Sequence, residues 1–122
     1  MHTITDLQLV LCAGFGCTDI RIIYTEKDRM LLYDGEEYSL PESIAADLSA
    51  LVAPCVIAPA TVYPAGTGVM AGPAPLLPFG EELVSVQFTD ADGGIYDVTS
   101  AAKVDILKLK AFFGGLVRGR PL

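Results

Sequence analysis

A chain of 122 residues falls in the single-domain range and is long enough to bury a core without disulfide or metal support. Its 52% hydrophobic content and mean hydropathy of +0.47 exceed what a small interior hides, which points to apolar surface kept for a partner. The formal net charge of -7 argues against general nucleic-acid binding, because phosphate repels an acidic body.

That charge is uneven. Residues 1–97 carry 14 acids and 3 bases, whereas residues 98–122 carry five bases (Lys103, Lys108, Lys110, Arg118, Arg120) and Asp105 as their one acid. The basic end is expected to dock on the acidic face of a neighbouring copy in preference to a polyanion. The apolar stretch 7–16 follows Asp6 and no Lys or Arg, so it lacks the positive start of a secretory leader. Cys12, Cys17 and Cys55 form an odd set without framework spacing, which reads as reduced, buried thiols. The expected setting is the cytoplasm, or a particle assembled there.

Along residues 3–13, Leu7, Leu9 and Leu11 alternate with Asp6 and Gln8, the pattern of a half-buried strand. Residues 12–17 read as a Gly-containing loop, and residues 20–25 are rich in β-branched and aromatic types that favour a strand. After a polar turn at 26–28, residues 29–33 and 36–40 form two strands joined by Asp34-Gly35. That dipeptide suits a type I′ hairpin, in which both central residues need φ > 0. Pro41, Glu42 and Ser43 open a helix of about three turns, with Ile44, Leu48, Leu51 and Val52 on its apolar face and Pro54 at its end.

Residues 48–80 hold no charged side chain over 33 positions, six of the eight prolines, and Gly66, Gly68, Gly72 and Gly80. Prolines at this density break a membrane-spanning helix, and a disordered linker would be polar. An extended apolar loop or arm over 53–80 is therefore predicted, part polyproline II and part edge strand. Residues 82–89 alternate cleanly, and Asp90 to Gly94 turn the chain into a return strand at 95–99. For residues 101–113 the charges decide between two readings. On a helical wheel Lys103 and Lys110 share one side while Asp105 and Lys108 lie nearly opposite, so a bulged strand is expected and a helix is the alternative. Residues 114–122 read as a basic, Gly-containing tail.

The resulting fold class is mainly β (α+β): a small antiparallel barrel or sandwich with one short helix and a long Pro/Gly-rich arm. Catalytic candidates are few. His2 is the one histidine, placed where a rigid general base is hard to hold. Cys12, Cys17, Cys55 and His2 number enough for zinc, but their spacing is loose and buried thiols explain them better. Asp90, Asp92 and Asp97 evoke a calcium loop, yet Gly94 and Ala101 occupy ligand positions and a hairpin turn accounts for the same residues. Gly14-Phe15-Gly16 and Gly66-Thr67-Gly68 lack the rest of a phosphate or dinucleotide motif. Pro75 to Pro78 matches a PxxP ligand, a pattern common by chance.

No enzyme, cofactor or metal is therefore expected. The sequence favours a structural or assembly protein working through protein–protein contacts, of the kind found in virion or phage heads, necks and decorations. Its partners would be copies of itself or other assembly subunits. The alternative is a small acidic inhibitor or adaptor, and a small enzyme or ligand carrier with a pocket under the central loop comes third. The expected contact residues are Pro54, Val56, Ile57, Pro59, Val62, Tyr63, Pro64, Val69, Met70, Pro75, Leu76, Leu77 and Phe79 in the arm, with Leu116, Val117, Arg118 and Arg120 in the tail.

Overall fold

A computed structural model describes residues 2–12, 20–65 and 68–118, with the side chains of 63–65 and 68–70 left aside. In chain order the elements are β1 (Ile4–Cys12), β2 (Ile20–Thr25), β3 (Met30–Tyr33), β4 (Glu36–Ser39), α1 (Ala45–Val52), β5 (Val56–Pro59), β6 (Val62–Ala65), β7 (Gly68–Ala71), β8 (Leu77–Phe79), β9 (Glu82–Asp90), β10 (Ile95–Ser100) and α2 (Lys103–Arg118).

The predicted alternation in β1 sets the architecture. Its Leu7, Leu9 and Leu11 lie opposite Tyr24, Ile22 and Ile20 of β2 on one side and Phe88, Val86 and Val84 of β9 on the other. A period of two puts all of these side chains on a single face. The main sheet is antiparallel, runs β4-β3-β2-β1-β9-β10-β5 and does not close, while β8 pairs with the start of β9 beside β10. The β3–β4 turn forms as expected, with φ of 50 at Asp34 and 88 at Gly35. Asp90 builds the second hairpin turn: its Oδ1 accepts the backbone N–H groups of Asp92 at 3.1 Å and Gly94 at 2.9 Å.

Both helices pack on the leucine face of the sheet. From α1 come Leu48 and Val52, preceded by Ile44, and from α2 come Ile106, Leu109 and Phe113, all buried in one core with the strands. Full burial of an aliphatic or aromatic side chain of this size contributes about 1.5–3 kcal/mol. The shorter helix departs from expectation at its start. Ser43 Oγ accepts the Ala45 N–H at 3.2 Å, so the helix begins after the Pro41–Ser43 stretch and spans 8 residues, nearer two turns than three.

From Lys103 onward the segment 101–113 is helical, the alternative reading, and not the bulged strand. The apolar spacing Ile106, Leu109, Phe113 with Leu116 and Val117 is helical, and it fixes the element. The charges misled because long side chains reach around a helix rim: Lys110 lies 3.8 Å from Glu82 and stands over the Phe79 ring at 5.7 Å. Residues 114–118 continue this helix, and Leu116 and Val117 pack against the core. The basic tail read at 114–122 is therefore structural up to Arg118, and Arg120 lies outside the described residues. The loop read at 12–17 also falls outside them beyond Cys12.

Seven strands across at about 4.8 Å spacing make a sheet roughly 29 Å wide. Two helices about 10 Å apart cover roughly 20 Å of it. The helical layer is thus too narrow for its sheet, and an opening flanks each helix. Beside α2 lies a groove of about 400 Å³ bordered by Tyr33, Leu107 and Lys110. Beside α1 lies a cavity of about 300 Å³ next to Ile57 and Phe88.

Candidate interaction surface

The uncharged segment does not stay one continuous arm. Its first part, β5, joins the main sheet as an edge strand, with Ile57 opposite Val98 and Pro59 opposite Tyr96. Its last part, β8, returns to pair with β9, placing Leu77 opposite Val84 and Phe79 opposite Glu82. Between them β6 and β7 pair with each other in a separate two-stranded sheet. Tyr63 stands opposite Met70, and Pro64 opposite Val69, within this hairpin.

Three hydrogen bonds fix the hairpin's base. Ala60 N–H donates to Ile95 O at 2.8 Å, and Gly72 N–H to Thr61 O at 2.7 Å. Gln87 Nε2 donates to Gly72 O at 2.9 Å and also to Asp97 Oδ1 at 2.8 Å. Gln87 and Asp97 are cross-strand partners on β9 and β10, on the sheet face opposite α1 and α2. The segment 71–76 passes over that face and leaves a groove of about 720 Å³, bordered by Gln8, Val10, Arg21, Leu76, Ser85 and Gln87.

The predicted contact residues therefore divide into two groups. Phe79 is buried in the chain's own core, and Ile57, Leu77, Leu116 and Val117 pack against it. These five stabilise the fold, and their apolar character is spent inside it. Pro54, Pro59 and Pro75 are exposed, and Val56, Val62 and Leu76 remain 58%, 43% and 54% exposed. Arg118 is exposed at the end of α2 and reaches back to Gly114 O at 3.2 Å.

The two edges of the main sheet differ in chemistry. Glu36 and Glu37 are exposed along β4, and charge on an edge strand opposes pairing with another chain. The opposite edge, β5, reads Val-Ile-Ala-Pro and carries no charge. Sequence reasoning missed three residues beside the arm: the half-buried Gln87, the buried Asp97 and the exposed Leu83 of β9. Their alternation on the strands was visible, but the bonds of Gln87 to Gly72 and Asp97 and the pairing of Leu83 with Pro78 depend on hairpin register, which no local pattern reports.

His2 is also better held than its sequence position suggests. Its Nδ1 lies 2.9 Å from Asp90 Oδ2, and its ring packs 4.4 Å from Tyr96 and 5.8 Å from Phe88. The hydrogen bond from His2 and those from the turn amides hold the Asp90 carboxyl below its ordinary value against the opposing effect of burial. Both Asp90 oxygens are thus engaged within the fold, which accounts for the carboxylate that suggested a calcium loop.

No protein family, curated protein or solved structure matches this chain. Among the described residues, no helix is long and apolar enough to cross a membrane.

Proposed function

We propose that this chain is a non-enzymatic assembly protein that associates with copies of itself through the β6–β7 hairpin and the β5 edge. A component of a symmetric particle, such as a virion head or neck, is the setting that suits it. The observation that carries this reading is that the hairpin pairs with itself and not with the domain's sheet. Apolar side chains at Val56 of β5, Val62 of β6 and Leu76 after β7 stand in solvent along this segment. Leaving such side chains in water forgoes the stabilisation that covering them provides.

Charge favours a second copy as the partner. Two bodies of net charge -7 repel wherever acidic faces meet. Residues 48–80 contain no ionised side chain, so contact there avoids both like-charge repulsion and the desolvation of charges.

Light scattering on the purified chain tests the proposal. Oligomers that dissociate in Val62→Asp and Leu76→Asp, while Leu107→Asp on the exposed side of α2 leaves them intact, are the expected result. A monomer at every concentration tried overturns it.

A further inference from the structure

The cavity beside α1 is bordered by Ile4, Val52, Ile57 and Phe88, with Ser49 of the helix, Ala53 just beyond its end and two further polar groups, His2 and Cys55. Its volume of about 300 Å³ lies at the small end of ligand pockets, and its balance of apolar wall and few polar groups is typical of them. Its walls come from β1, α1, β5 and β9 together, so it belongs to the fold and not to one side-chain rotamer.

The polar groups define what fits. The Asp90 carboxylate accepts in the 2.9 Å contact, which makes His2 Nδ1 the donor; in that tautomer Nε2 is left as an acceptor. Ser49 is already engaged, donating to Ala45 O at 2.8 Å. The Cys55 thiol is 9% exposed and makes no hydrogen bond among the described residues. It adds a soft, weakly polar wall. Asp90 stands 2.9 Å from His2, and burial together with the Asp105 charge raises the Cys55 thiol above its ordinary value; both carboxylates disfavour an anionic ligand.

We infer that this cavity is a binding site for a small neutral ligand of one or two rings carrying one hydrogen-bond donor, packed on Phe88 and donating to His2. The site adjoins the proposed assembly surface through Ile57 of β5, but none of its walls comes from the β6–β7 hairpin.

Indole is a suitable probe, because the chain contains no Trp and the probe's fluorescence is unobscured. Titration should give a saturable blue shift, with methyl NMR changes confined to Ile4, Val52 and Ile57. N-methylindole, which lacks the donor, should bind the unmodified protein about three- to tenfold more weakly, the range expected for one hydrogen bond. In His2→Phe the two probes should bind alike, and Ala53→Leu, which fills the cavity, should weaken both. An absence of saturable binding, or methyl changes centred on Val10 and Leu76, overturns the site. Equal affinity of the two probes for the unmodified protein overturns the role of His2.

Discussion

Gln87 and Gly72 are joined by a 2.9 Å hydrogen bond from a side-chain amide on the open sheet face to a backbone carbonyl at the root of the hairpin. The same amide serves the buried Asp97. One side chain thus ties the projecting hairpin to the β9–β10 pair and satisfies a carboxylate beneath it. Gln87→Leu removes both bonds. It should cost about 1–3 kcal/mol in urea denaturation, the range for a buried polar group left unpaired. Amide exchange at Gly72 should rise more than at Leu9. A neutral substitution would show that the tether contributes nothing to stability.

The His2–Asp90 contact makes stability depend on acid. The folded-state value of Asp90 lies below its ordinary 3.8, so the folded protein holds the charged form more strongly than the unfolded chain does. Its contribution is complete above the ordinary value and is lost as pH falls through the folded value. Asp90→Asn removes this component. Its stability should therefore change less than that of the unmodified chain as pH falls from above 3.8 downward, as followed by circular dichroism. Parallel curves for the two proteins would contradict the assignment.

The second helix gives a test of its own limits. Gly115 lies within α2, and a Cβ added there meets nothing within 4 Å. Gly115→Ala should stabilise the protein by about 0.5–1 kcal/mol, the backbone cost of glycine in a helix. Phe113→Ala should cost about 3–5 kcal/mol, as expected for emptying a buried aromatic site. Thermal and urea unfolding check both. An unaffected Phe113→Ala protein would return the C-terminal residues to the status of an appended tail.

Much of the sheet was legible in the sequence. The leucines of β1, the Asp34-Gly35 turn and the Val84, Val86, Phe88 series each state their structure within a few residues, because a strand of period two has one buried face. The C-terminal helix was hidden by its lysines: their placement suggested a strand, although Ile106, Leu109 and Phe113 already held the helical spacing. Apolar spacing reports what is buried, whereas a lysine reports only where a flexible stem can carry its charge. The uncharged segment was legible as apolar and extended, but not in its division. Nothing local distinguishes Phe79, which enters the core, from Leu76, which does not. That difference arises from pairing with β9, and pairing is a long-range property. His2 likewise gains its position from Asp90 and Tyr96, distant in sequence.

Hydrogen–deuterium exchange at low and high protein concentration tests the contact role of the hairpin most directly, because it reads individual segments without any substitution. The account predicts that amides of β5, β6 and β7 become better protected as concentration rises, while those of β1 and β9 keep the same rates. Identical exchange of the hairpin at both concentrations would contradict it.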